Sequence, residues 1–228
     1  MLKRMTQVAL IGFALWGDAA MAQTPPDAAA WRQKTIEMFR DAKPTPDLAQ
    51  MSPVDKLLAL EEIRQIPLRY TRCINQRDWK CWTSLFTEES DYWNGTLGKV
   101  VAGTEGWYDH LNATGMTSSR VHSLFHSFGA EIEILSPTTA RGIWQASYVF
   151  YSGKDEPGDP KGTVIQPGLQ HRQWAVYYQT YKKVDGLWKI NSTIHLDLRS
   201  EDGPLPEGVK ALPIGDVPNP EGRLFSGN

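Results

Sequence analysis

Cysteine is scarce in this chain: there are two in 228 residues, Cys73 and Cys81. Two thiolates with no histidine near them in sequence fall short of the four ligands of a structural zinc site. Neither sign of charge is in excess, with 24 Lys and Arg against 26 Asp and Glu, a net of −2. No basic patch marks a nucleic-acid surface, and no polybasic or amphipathic segment marks a membrane-surface anchor. Beyond the first residues no run is apolar enough to cross a bilayer. There is no G-x-S-x-G elbow, no P-loop and no G-x-G-x-x-G opening a helix, so the common nucleophile and phosphate-binding devices are missing. Neither a cofactor nor a metal is expected.

The N-terminus holds the one leader-like pattern. In MLKRMTQVALIGFALWGDAAMAQTPP, Lys3 and Arg4 form a short positive region, Val8 to Trp16 an apolar run, and Ala20-Met21-Ala22 a cleavage pattern. This order reads as a secretory signal peptide, residues 1–22. The leader carries Lys3, Arg4 and Asp18, so the remaining chain has a net charge of −3. The expected destination is the periplasm, with no membrane anchor once the signal is cut. In an oxidising compartment a lone cysteine pair is expected as a disulfide, Cys73–Cys81. The alternative is two small buried thiols at a helix junction.

What the chain has in quantity is aromatic: nine Trp, eight Tyr and seven Phe. Such side chains fill cores and line pockets for flat apolar ligands. Residues 23–52 form an extension with one short helix, from Ala28 to Asp41, stopped by Lys43-Pro44-Thr45-Pro46. Ser52 as N-cap, Pro53 and Asp55 start a stronger helix. Its apolar spacing runs through Leu57, Ile63, Ile66, Tyr70, Cys73 and Ile74, with a kink expected at Pro67. Asp78 caps a second helix, expected over 79–87.

Strands are expected over 91–93 and 99–102, flanking a turn at 94–98, and over 119–128, 130–135 and 140–151. A short helix falls at 104–111 and a polar loop at 153–168. Residues 170–184 and 187–199 form a hairpin around Asp185-Gly186. The spacing puts Trp188, Ile190, Ile194, Leu196 and Leu198 on one inner face and turns His195 and Asp197 away from it, as structural residues. Residues 200–228 read as a Pro/Gly-rich tail. Helices followed by a curved antiparallel sheet make an α+β domain.

Three stretches carry a family likeness: Ile63 to Phe86, with Arg69-Tyr70, Asn75 and Asp78-Trp79; Val121-His122 and the following EIEILSPTTARGIW; and Tyr177 to Ile190. Together they resemble the SnoaL-like branch of the nuclear transport factor 2-like superfamily. The likeness covers residues 53–199. It implies a cone-shaped, strongly bent sheet closed by N-terminal helices around an apolar pocket. It also implies a homodimer or homotrimer and a cofactor-free activity on an apolar or aromatic small molecule. Family members include dehydratases, isomerases, hydrolases and lyases, and also non-catalytic binding domains.

The family's dehydratases set a tyrosine on the first helix, a carboxylate five residues on, and a histidine on a facing strand. The resemblance therefore implies Tyr70 as hydrogen-bond donor and His122, or its rival His126, as base and then acid. The carboxylate position holds Asn75, which can orient substrate or water but cannot take a proton. That departure points to loss of a small fragment or isomerisation as readily as to dehydration. Trp93, Trp144, Tyr148 and Phe150 are expected to line the pocket, with His126, His171 and Tyr177 as further substrate contacts. An exported chain cut as expected begins at Gln23, and N-terminal sequencing of the secreted protein checks this.

Overall fold

The computed structural model describes residues 28–94, 99–103, 106, 109, 121–153 and 166–209. The leader, the turn at 95–98, most of the 104–111 helix and 153–168 loop, and the end of the tail lie outside them.

Helix α1 spans Ala28–Arg40, and a 3₁₀ turn, Pro46–Gln50, leads to helix α2, Pro53–Asn75. The α2 start is built as its residues dictate. Ser52 Oγ accepts from the Asp55 N–H at 3.1 Å and donates to Asp55 Oδ2 at 2.7 Å, satisfying one of the first-turn donors that has no partner within the helix. Ala59, Ile63, Ile66, Tyr70, Cys73 and Ile74 recur at helical spacing and are all buried. The helix runs on through Pro67.

After Asn75 the chain reverses through Arg77, at φ 57°. The Asp78 N–H then donates to the Cys73 carbonyl at 2.8 Å, and Asp78 Oδ1 accepts from the Cys81 N–H at 2.8 Å. Helix α3, Trp79–Ser84, is therefore capped on its first turn, and the Cys73–Cys81 disulfide ties it to α2 with a Cα–Cα distance of 5.7 Å. Helix α3 is shorter than the sequence suggests, because the chain already extends at Phe86.

Among the described residues six strands follow: β1 Phe86–Asn94, β2 Lys99–Ala102, β3 His122–Ile134, β4 Thr139–Tyr151, β5 Leu169–Val184 and β6 Leu187–Pro204. Their order in the sheet is β2-β1-β6-β5-β4-β3. Asp185 and Gly186 both adopt positive φ, 51° and 76°, the backbone of a two-residue hairpin turn between β5 and β6. Every pair is antiparallel except β1 and β6, which are parallel; the sequence gives no sign of that. Strand β6 also runs five residues into the expected tail.

The larger departure concerns which side of β6 faces inward. Tyr181 pairs with Ile190 but Thr180 pairs with Ser192, so Asn191 is an extra residue; Ala175 pairs with Asp197 but Trp174 with Arg199, so Leu198 is a second. Each one-residue bulge inverts the alternation of side chains. Trp188 and Ile190 face inward as expected. Between the bulges it is Thr193, His195 and Asp197 that face inward, opposite Gln179, Tyr177 and Ala175. Ile194 and Leu196 face outward, where Ile36 and Phe39 of α1 cover them together with Trp93. Leu198 is 64% exposed. The expectation that His195 and Asp197 point away from the core is thus reversed.

The main core lies on the inner face, closed by α2 and α3. Gly142 is required there: a Cβ would stand 2.9 Å from the Glu131 carbonyl oxygen and 3.2 Å from the Tyr181 ring. Helix α1 is pinned on the outer face by Lys34 Nζ to Asp91 Oδ2 at 2.9 Å. The disulfide closes a loop of only eight residues' separation, so Cys73→Ser with Cys81→Ser is expected to cost about 2–3 kcal/mol of unfolding free energy. Urea titration of the oxidised and doubly substituted proteins measures it.

Candidate active site

The inner face is lined by rings. Tyr70 from α2 meets Trp82, Phe86, Trp144 and Tyr177 edge-on, at centroid distances of 5.5–6.2 Å. Trp144 lies flat on Tyr177 (4.2 Å, 5° between planes), and Tyr177 lies flat on the His195 imidazole (4.7 Å, 4°). A second parallel pair, Phe125 on Tyr148, stands at 4.3 Å and 5°. The strand register accounts for these stacks, since Trp144, Tyr177 and His195 share one rung across β4, β5 and β6, and Phe125 and Tyr148 share another.

Polar groups converge at the end of the first stack. His195 Nε2 lies 2.9 Å from Asp197 Oδ1 and 3.2 Å from the Tyr148 hydroxyl. Its Nδ1 lies 2.5 Å from the Tyr92 hydroxyl and 3.2 Å from Asn94 Nδ2. Tyr148 also reaches Asp197 Oδ1 at 3.4 Å. The His195 and Asp197 side chains are only 6% and 5% exposed. A carboxylate oxygen only accepts and an amide nitrogen only donates, so in the neutral ring the nitrogen facing Asp197 carries the hydrogen and Nδ1, facing Asn94 Nδ2, presents its lone pair.

Further down the cone Gln179, fully buried, accepts from Trp144 Nε1 at 2.7 Å and from the Tyr181 hydroxyl at 2.9 Å, and donates to Thr193 Oγ1 at 3.1 Å. These bonds fix the tryptophan that supports the stack. Burial raises the phenol pKa of Tyr70, Tyr92, Tyr148, Tyr177 and Tyr181 well above the ordinary value. For Tyr92, Tyr148 and Tyr177 the negative charge of Asp197 adds to the rise.

Of the residues singled out from sequence, the structure gathers Tyr70, Trp144, Tyr148 and Tyr177 around His195. Phe150 packs edge-on beside Tyr148 at 5.3 Å. His122 and His126 are not among them. Phe125 is buried on the inner face while Leu124 is 47% exposed, and the two histidines share Leu124's side by strand alternation. His122 stacks on Tyr151 at 5.3 Å, and His126 is exposed. The expectation that His122 lies inside the cone is therefore corrected: among the described residues the buried inner-face imidazole is that of His195.

Asn75 spends its amide on the backbone of an edge strand, donating to the Phe125 carbonyl at 2.9 Å and accepting from the Phe125 N–H at 2.7 Å. It is a clamp rather than a substrate contact. Trp93 lies on the opposite face, beneath α1. His171 shares the inner face but pairs with Asp202 at 2.5 Å, a residue whose side chain is 79% exposed. No sequence signal marked His195: Trp188, Ile190, Ile194, Leu196 and Leu198 share one alternation, and only the bulges in the β5–β6 register divide them between the two faces. Among the described residues no group of three or more His, Cys, Asp or Glu converges as a metal site.

A SnoaL-like domain model matches residues 55–194. Solved structures share the fold at low identity. A hexachlorocyclohexane dehydrochlorinase, LinA type 2, is 19% identical with a TM-score of 0.53, over 72% of this chain and 99% of that one. A putative scytalone dehydratase from Novosphingobium aromaticivorans is 17% identical with a TM-score of 0.55, over 73% and 100%. A putative aromatic ring hydroxylase from the same organism is 13% identical with a TM-score of 0.52, over 67% and 96%. No curated protein matches the chain.

The raised phenol pKa values have a defined consequence for pH. A group that holds its proton more tightly when folded contributes stability that is complete below the unfolded pKa, near 10, and is lost as pH rises above it. Stability is expected to fall above about pH 10. The five buried phenols should ionise only as the chain unfolds, which absorbance at 295 nm followed beside circular dichroism will show.

Proposed function

We propose, for a chain that belongs to the SnoaL-like family, that it is an acid–base lyase acting on a bulky apolar, aromatic small molecule. The observation that carries this reading is the His195–Asp197 pair, nearly fully buried at the end of an aromatic stack. An imidazole held in one tautomer by a carboxylate can take a proton from a carbon acid and return it to a leaving group. The hydroxyls around it can donate to oxygen where negative charge develops.

The reaction is an elimination. The proton leaves one carbon, its electron pair becomes the double bond, and the neighbouring substituent departs with its own pair and is protonated. Loss of water from an alcohol or of a small fragment both fit. Flat rings at the site favour a flat substrate. Export to the periplasm fits a chain with a signal-like leader and a formed disulfide. Assembly as a homodimer or homotrimer belongs to the same reading.

The test is native mass spectrometry of the oxidised protein with a panel of aromatic and terpenoid alcohols. The wild type is expected to release a product lighter by water or by a small fragment. His195→Gln should slow this by about 10²–10⁴-fold, while His122→Gln should leave it unchanged. Ligand bound but unaltered by every variant would make the protein a binding module instead.

A further inference from the structure

Both nitrogens of the His195 ring are already engaged by the protein. Nε2 faces Asp197 and the Tyr148 hydroxyl; Nδ1 faces the Tyr92 hydroxyl and Asn94. One face of the ring is covered by Tyr177. A substrate therefore meets the imidazole only through one of the hydroxyls bound to it. The two hydroxyls are not equivalent. Tyr148 approaches the nitrogen whose hydrogen is given to Asp197 and lies near Asp197 Oδ1 itself. Tyr92 approaches the nitrogen that carries the lone pair, at the shorter distance of 2.5 Å.

We infer that Tyr92 is the group that exchanges protons with substrate, as the end of an Asp197–His195–Tyr92 relay. The inference rests on the lyase reading above. In the forward step the substrate C–H proton passes to the Tyr92 oxygen as the Tyr92 O–H proton passes to His195 Nδ1. The C–H electron pair forms the new double bond, and the C–X bond breaks with its pair remaining on X. The imidazolium beside Asp197 then returns its proton through Tyr92 to X. The sum is H–C–C–X giving C=C and HX, with no oxidant, reductant or further reactant.

The relay keeps the phenol neutral before and after each transfer. This matters because burial, the neighbouring tyrosines and Asp197 all disfavour a tyrosinate at position 92. A standing phenolate base would be rare here, whereas a hydroxyl that receives and gives in one step is not hindered. Tyr92 is held for this by its strand. It pairs with Thr193 on β6, and Asn94, two residues on along the same face, pairs with His195. The parallel β1–β6 contact thus brings the phenol to the imidazole.

Three measurements decide it. Long-range proton–nitrogen NMR of histidine-labelled protein, with His195→Gln to assign the signal, is expected to show Nε2 protonated and Nδ1 bare. Tyr92→Phe is expected to lower kcat by about 10²–10⁴-fold with little change in KM. Fluorotyrosine placed at position 92, which preserves shape and hydroxyl, should change kcat in step with its acidity, a response that packing alone would not give. A hydrogen on Nδ1, or wild-type kcat in Tyr92→Phe while His195→Gln is inactive, would overturn the relay and leave the lyase reading in place. A wild type that turns over none of the alcohols would remove that reading and the relay with it.

Discussion

Asn191, one extra residue in a strand, decides what the interior of this protein contains. Were it paired in the ladder like its neighbours, the alternation begun at Trp188 and Ile190 would carry Ile194 and Leu196 inward and leave His195 and Asp197 outside. As a bulge it turns the apolar residues toward α1 and brings a histidine and an aspartate onto a face lined by aromatic rings. Taking such a pair out of water is costly unless geometry and further hydrogen bonds compensate. The hydroxyls of Tyr92 and Tyr148 and the amide of Asn94 supply those bonds. The second bulge, at Leu198, restores the original alternation, so that only Thr193, His195 and Asp197 are inverted.

The sheet has two covered faces around β1 and β6, and this explains what sequence reading could and could not reach. Where one rule governs a segment, the residues speak plainly. Ser52, Pro53 and Asp55 start α2, Asp78 starts α3, Asp185-Gly186 turns the hairpin, and Trp144, Tyr148 and Phe150 share a face of β4. Family likeness added the cone. Where the backbone departs from regular alternation, composition carries no mark of it. Asn191 is an ordinary polar residue, and Ile194 and Leu196 are apolar because α1 lies over them. Reading them as the inner face was a sound use of the wrong face.

A different cause misplaced the candidate base, since the β3–β4 register is unbroken between His122 and Phe125. His122 sits on a strand near the position that the family pattern suggests, but Phe125 is the inward residue there, and His122 lies three positions away on the opposite alternation. The aromatic residues were easier to place, because their rungs are set by the regular β4–β5 pairing and by the part of the β3–β4 pairing that precedes its bulge between Phe128 and Ala130. Rings could thus be read from periodicity, whereas the ionisable pair that they surround required knowledge of register. Tyr92 was missed differently: its strand was expected over 91–93, but Trp93 was taken as the inward residue, and Tyr92 lies on the opposite alternation.

Asn75 has a consequence for how molecules of this protein meet one another. Strand β3 is the last in the sheet, and an uncovered last strand offers its N–H and C=O groups to any passing chain. At Phe125 both groups are taken by the Asn75 amide, and the Val121 carbonyl accepts from Arg77 at 2.9 Å. Helix α2 acts here as a hem sewn along the border of the sheet. A neighbour cannot extend the sheet through that stretch by adding a strand, which guards the folded chain against fibre-like stacking at this border.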